Sequence, residues 1–197
     1  MFEPDDDLII QDDRPTRSDA LRNHRRLLDA ARRLFDKDDV EAVSMTQIAQ
    51  EAGVGKGTLY RNFENKVDLC YALLDEDQRQ MQNNVLQRMR TNDDLEANLR
   101  WFLQEAATFV IRNENLLYAG ADAGQAITLE LPAHLWWRQT IRNILRQMDV
   151  TGDIDFLSDT FYVMLHVNTI HFQLHTLNYT PQRIYDGIQE TLNRVIG

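Results

Sequence analysis

The chain has 197 residues, 43% hydrophobic and 26% charged, with a net charge of −10 and one cysteine, Cys70. That is enough apolar matter for a real core, and a lone cysteine rules out an internal disulfide and fits a reducing cytoplasm. No apolar run approaches the ~20 residues of a membrane helix, and the acidic start Met1-Phe2-Glu3-Pro4-Asp5-Asp6-Asp7 does not read as a secretory signal. The charge is uneven: residues 1–13 carry −6, residues 14–66 carry +3, and residues 67–197 carry −7. Only the middle segment can face a polyanion without repulsion, with bases at Arg14, Arg17, Arg22, Arg25, Arg26, Arg32 and Arg33. A solvated basic helix face would have the same composition.

Residues 1–17 lack apolar periodicity and read as a disordered acidic tail. A first helix is expected from about Asp19 to Phe35, capped by Ser18, with the stripe Leu21, His24, Leu28, Ala31 and Phe35. Ser44-Met45-Thr46-Gln47 fits a capping box that opens a short helix to Ala52. Gly53 stands where a left-handed residue ends a helix. A second short helix is expected over Lys56–Phe63, and Asn65 caps a long one from Lys66 to about Arg90. Further helices are expected near 93–112, 115–127, 132–148, 153–177 and 181–195, with Pro132 and Pro181 in first turns, Thr180 as a cap and Gly152 in a turn. No stretch alternates with period two for long enough to make a strand.

The segment SMTQIAQEAGVGKGTLYRNFENK, Ser44 to Lys66, is two short helices around a tight Ala52-Gly53-Val54 turn. Ile48, Ala49, Val54, Leu59 and Phe63 are spaced to bury one face, which leaves polar groups on Thr46, Lys56, Thr58, Tyr60, Arg61 and Asn62. A major groove admits one helix, read by side chains near its N-terminus. Lys56 and Arg61 suit phosphates or guanine, and Thr58, Tyr60 and Asn62 suit phosphate oxygens or base edges. Gly55 and Gly57 remove bulk, so backbone can approach a duplex. Lys66, at the next helix's N-terminus, suits a phosphate.

These words resemble the DNA-binding motif of the tetracycline-repressor (TetR/AcrR) family. The resemblance rests on Ile48-Ala49, Ala52-Gly53-Val54, Lys56-Gly57-Thr58-Leu59-Tyr60, Phe63 and Asn65-Lys66-Val67-Asp68-Leu69, with Ala30-Ala31-Arg32-Arg33-Leu34-Phe35 upstream. Asp39 stands where the family often has glycine, and aspartate is a tolerable substitute in a left-handed turn. Gly55 replaces a frequent serine, and Arg61 and Asn62 replace a frequent aromatic and histidine, so the operator sequence is not carried over. The resemblance implies an all-α protein: a tail over 1–17, a three-helix helix-turn-helix DNA-binding domain over 18–65, and a larger helical ligand-binding and dimerisation domain over 66–197. It implies a cytoplasmic bacterial repressor, not an enzyme, that binds a palindromic double-stranded operator as a homodimer and is released by a small effector. By the same resemblance Ser44, Thr46, Lys56, Gly57, Thr58, Tyr60, Arg61, Asn62 and Lys66 meet the DNA.

The C-terminal region supplies its own signals. Segment 153–177 is apolar around most of its circumference, and 181–195 adds the stripe Ile184, Ile188, Leu192 and Val195. Such helices need cover from a partner subunit, and two from each chain make a four-helix bundle. Trp101, Phe102, Phe109, Tyr118, Trp136, Trp137 and Tyr162, with Phe172 nearby, are candidates to line an apolar cavity for an apolar or aromatic effector, with His166 or Tyr162 orienting it; ordinary core packing explains each singly. His171 and His175 have metal-ligand spacing, but no acid shares their face, so no metal or cofactor is expected and the histidines read as core or interface residues. No phosphate loop or nucleophile elbow is present. Two other readings stay open: a DNA-binding protein without a small ligand, controlled by a protein partner, and a helical metal enzyme using the histidines.

Overall fold

The expected helical periods become helices, and the described residues contain no strand. The computed structural model describes residues 17–121 and 132–197, with backbone alone at Arg17, 118–121 and 132–134. The helices are α1 (Arg17–Phe35), α2 (Met45–Ala52), α3 (Lys56–Asn62), α4 (Lys66–Thr91), α5 (Leu95–Arg112), α6 (Glu114–Ala121), α7 (Pro132–Gln147), α8 (Ile154–Met164), α9 (Val167–His171), a π-helical turn (Phe172–Thr176) and α10 (Pro181–Ile196). The tail and the end of the expected helix 115–127 lie outside the described residues.

Local chemistry sets the helix starts. Ser44 and Gln47 form the full capping box: the Gln47 N–H donates to Ser44 Oγ (3.2 Å), and the Ser44 N–H donates to Gln47 Oε1 (2.8 Å). Asn65, Asp94, Asp153 and Thr180 accept the equivalent amides of α4, α5, α8 and α10, each worth about 1 kcal/mol. Gly53 has φ +63° and sends its N–H back to Gln50 O at 3.0 Å. Two expectations fail here. Ser18 lies inside α1 and is not its cap. Asp39 does not occupy left-handed space, for the only described non-glycine residues that do are Asp149 and Asn178.

One apolar cluster runs from α1–α3 through α4 into the C-terminal helices. Leu27, Ala30, Ala31, Ile48, Ala49, Leu59 and Phe63 join the first three helices; Leu69 and Leu73 of α4 continue it. Leu21 was expected in this stripe and is instead 65% exposed, because α1 outruns the helices that cover it. Across the α1–α4 contact lies Arg32. It donates to Asn113 Oδ1 at 3.0 Å and Leu73 O at 3.4 Å, and pairs with Asp77 at 2.8 Å. Helices α7 and α8 are laced by charge: Arg138 bonds Asp159, Arg142 bonds Asp155, and Arg146 lies 3.9 Å from Asp155. The Arg142 hydrogen bond holds the Asp155 carboxyl below its ordinary pKa, as Asp159 holds Arg138 above its own.

The expected single helix 153–177 is three pieces. At His166 the backbone turns extended (φ −68°, ψ 138°), and the ring Nδ1 accepts the Asn168 N–H at 3.2 Å. A side chain that offers its own acceptor competes with helix continuation. After His171 the ladder widens, and the Leu177 N–H reaches Phe172 O at 3.0 Å. The α10 stripe also departs from expectation. Ile184, Ile188 and Leu192 are buried within the same chain, and Gln189 donates to Arg100 O of α5 at 3.0 Å. The apolar side chains left exposed on 153–177 are Phe156, Val163, Phe172 and Leu177.

Candidate nucleic-acid interface and ligand region

Two capped turns and a shared core present α3 as an exposed rod. Lys56, Gly57 and Arg61 are exposed and Tyr60 is 53% exposed, while Leu59 is fully buried beneath them. Gly53 meets a constraint of the fold: its φ is positive, and a Cβ there would lie 2.8 Å from Arg26 Nη2. Gly55 and Gly57 meet none. Neither has positive φ, and a Cβ at either would have no neighbour within 4 Å. Nothing among the described residues therefore asks for glycine at Gly57, in the first turn of α3, where it costs some part of the roughly 1 kcal/mol that glycine loses to alanine in a helix interior.

Other expected contact residues have work within the module. Ser44 and Gln47 are engaged in the cap, with the Ser44 hydroxyl also donating to Gln47 Oε1 at 2.7 Å. Half-buried Asn62 donates to Thr58 O at 2.8 Å and lies 3.3 Å from His24 Nδ1, whose ring stacks on Phe63. Arg61 folds back, donating to Gly57 O and to Thr58 Oγ1, both at 3.2 Å. Thr46 is half-buried at the start of α2. The Lys66 ammonium donates to Val40 O (2.6 Å) and Glu41 O (3.0 Å), tying the α1–α2 loop to α4. One of its three donors is left over from those bonds. The sequence did not show this second role, because Val40 and Lys66 are 26 positions apart.

The aromatic candidates split into packing pairs. Phe102 meets Trp136 edge-on (5.8 Å between centroids) and Phe109 meets Trp137 (5.4 Å), at the α5–α7 contact. Trp137 also donates to Gln78 Oε1 at 3.1 Å. Phe102, Trp137 and Tyr162 are buried, and burial pushes the Tyr162 hydroxyl up to about 12. Trp101 lies beneath the Arg88 guanidinium, 4.9 Å from its ring centre. His166 caps α9, and burial lowers its pKa. The side chain of Tyr118 lies outside the described residues. Of these candidates, Trp136 reaches an open groove of about 530 Å³ between α4, α5 and α7, walled by Val85, Leu86, Met89, Leu95 and Ile144. No described helix is long and apolar enough to cross a membrane.

His171 and His175 are not alone on their face. Glu114, at the start of α6, brings its carboxylate between them. The acid that sequence reasoning missed comes from another helix, 57 positions away from His171.

Three comparisons bear on this arrangement. Residues 27–73 match the tetR family of bacterial regulatory proteins. An HTH-type transcriptional regulator of Staphylococcus aureus is 37% identical over 105 residues, covering 52% of this chain and 55% of the relative. The chain thus spans about half the length of the curated relatives it matches. Among solved structures, a TetR-family transcriptional regulator from Rhodococcus sp. superposes with a TM-score of 0.67 at 16% identity, covering 90% of this chain and 100% of that one. A transcriptional regulator from Saccharomonospora viridis in complex with choline gives 0.71 at 18% identity, covering 86% and 95%.

Proposed function

We propose that this chain, which belongs through its N-terminal helices to the tetR family of bacterial regulatory proteins, is a repressor that grips a palindromic operator as a homodimer. Residues 18–65 are the DNA-binding part and residues 66–197 the effector and dimer part. The observation that carries the reading is Gly57. It is exposed on α3, unneeded by the fold, and flanked by exposed Lys56 and Tyr60. A residue that weakens its own helix without an internal reason makes sense where an outside surface must come close. A DNA backbone beside a helix in the major groove is such a surface. Lys56 and the remaining donor of Lys66 then hold phosphates, while Tyr60, Thr58 and a swung-out Arg61 face base edges or phosphates. Ser44 and Asn62 serve mainly by fixing α2 and α3, and Thr46 meets a phosphate.

Dimerisation is supported by Phe156 and Val163, which are seven apart on one outer face of α8, with Phe172 and Leu177 beyond. The α4–α5–α7 groove supports a small, largely apolar effector, and a regulator of similar fold, the Saccharomonospora protein, is in complex with choline. The solid packing of Phe102, Trp137 and Tyr162 favours the second reading, control by a protein partner without a small ligand.

The test starts from a randomised duplex library passed over the purified protein. Selection should enrich a palindrome with half-sites about 34–36 Å apart. On that duplex, Gly57→Leu should abolish binding, and Gly57→Ala should weaken it while stabilising the free protein by less than the roughly 1 kcal/mol of an interior helix position. Failure to enrich any duplex, or unchanged affinity in Gly57→Leu, refutes the reading.

A further inference from the structure

The geometry points to a binding site for a divalent transition-metal ion of the zinc class at Glu114, His171 and His175, through which the ion acts as an effector; the effector role rests on the DNA-binding reading above. His171 Nδ1 lies 2.5 Å and His175 Nε2 lies 2.8 Å from one oxygen, Glu114 Oε1. The three ligand atoms lie within 4.8 Å of one another. Two imidazoles and a carboxylate are a donor set that borderline divalent ions favour over magnesium or calcium, which take oxygen alone. Three protein ligands also leave a fourth position for water. With metal–ligand bonds of about 2.0–2.1 Å, the edge of a tetrahedron is roughly 3.3 Å, so the two Glu114–imidazole distances lengthen by roughly 0.5–0.8 Å to admit the ion. Each ring must then turn a lone pair toward the centre in place of its N–H. That is a tautomer change for a neutral ring and a proton loss for a charged one.

The surroundings fit entry and hold. Glu114 is 13% exposed and fixed on α6, whereas His175 is 57% exposed and opens the site to solvent. His171 precedes the π-helical turn and His175 lies within it, their rings tilted with centres 4.5 Å apart, and such local widening of a helix recurs at functional sites. Metal binding would join α6 to this segment by coordinate bonds.

The site adjoins the DNA-binding helices. Glu114 follows Asn113, whose Oδ1 accepts from Arg32 of α1. Asn113 is buried and bonded back to Phe109 O at 3.1 Å. A shift of Glu114 is therefore delivered to the contact that orients α1, and through α1 to α2 and α3. The ion changes DNA affinity by as much as its affinity differs between the two arrangements.

The experiment uses metal-free full-length protein. Co²⁺ titration should give the visible absorption of a tetrahedral complex, with one ion per chain, displaced by Zn²⁺. His175→Ala and Glu114→Gln, folded by circular dichroism, should lose that spectrum. On the selected duplex, Zn²⁺ should change wild-type affinity at least about five-fold and leave His175→Ala unchanged. No tetrahedral spectrum in the wild type, or one that survives both substitutions, overturns the site. A normal spectrum with unchanged DNA affinity overturns the effector role. A protein that binds cobalt yet enriches no duplex leaves the site standing and refutes the DNA-binding reading instead.

Discussion

Arg32 makes the polar contact that fastens α1 to α4 and to Asn113 just before α6, and removing it should show how much that fastening is worth. Its guanidinium meets Asn113, the Leu73 carbonyl and Asp77 together, and the Arg32 and Asp77 side chains are 19% and 18% exposed. The Asp77 contact is short but off-axis for a hydrogen bond, so it acts mainly through charge. Breaking one side of a fully buried pair costs about 3–5 kcal/mol. Partial exposure reduces that, and Arg32→Met, which keeps the apolar stem, should destabilise by about 2–3 kcal/mol. Arg32→Lys should recover less than half, since an ammonium cannot reproduce the fork. Urea denaturation at fixed protein concentration reads the loss. A double-mutant cycle with Asp77→Asn should give a coupling of about 1 kcal/mol or more. A loss under about 0.5 kcal/mol, or strict additivity in the cycle, would refute the idea that this contact holds the module.

Three further outcomes are expected. Lys66→Met should lower stability by about 1–2 kcal/mol through its lost bonds to Val40 and Glu41, and should weaken binding to selected and unselected duplexes by the same factor; a sequence-dependent loss would remove the phosphate role. In sedimentation at micromolar concentration the wild type should show about twice the 23.0 kDa chain mass and Phe156→Glu one chain mass; a wild-type monomer, or a dimeric variant, counts against the α8 face. Burial lowers the pKa of His166, whose neutral Nδ1 caps α9. The unfolded chain takes up its proton first, below about pH 6.5. Its contribution to stability is therefore whole above that pH and lost as pH falls through the folded value. His166→Asn should flatten the slope of urea midpoint against pH across that window, and an unaltered slope would show that His166 is not its source.

The helix-turn-helix was legible in the sequence because its determinants are local. The Ser44–Gln47 box, Gly53 and Asn65 act within a few residues of themselves, and the Ile48, Leu59 and Phe63 spacing needs only a helical period. What escaped is what the chain assembles across distance. Glu114 meets His175 across 61 positions, so the pair of histidines looked acid-free. The break at His166 was hidden because apolar residues on every side read as one continuous helix, and composition says nothing of a ring nitrogen competing for an amide. The stripe on α10 was seen correctly and given the wrong partner. Periodicity shows that a face is buried, and Arg100 and Gln189 show that it is buried on α5. Aromatic residues were the poorest guide, since edge-to-face pairs such as Phe109–Trp137 and a cavity wall have the same composition.

The charge lacing between α7 and α8 has a property that its individual pairs conceal. Its arginines recur at 138, 142 and 146 and its acids at 155 and 159, each one helical turn apart. Slide one helix along the other by a turn, and Arg142 would face Asp159 while Arg146 faced Asp155. Two pairings would remain, so the ladder binds the helices without telling them where to stop. The stop must come from shapes that do not repeat: Ile141, Leu145, Ser158 and Phe161 in the layer beneath, and the short link through Gly152. Ionic glue of this kind leaves a screw thread between the two helices, and a change of one methylene in the layer beneath weighs more on their register than the removal of any single charge.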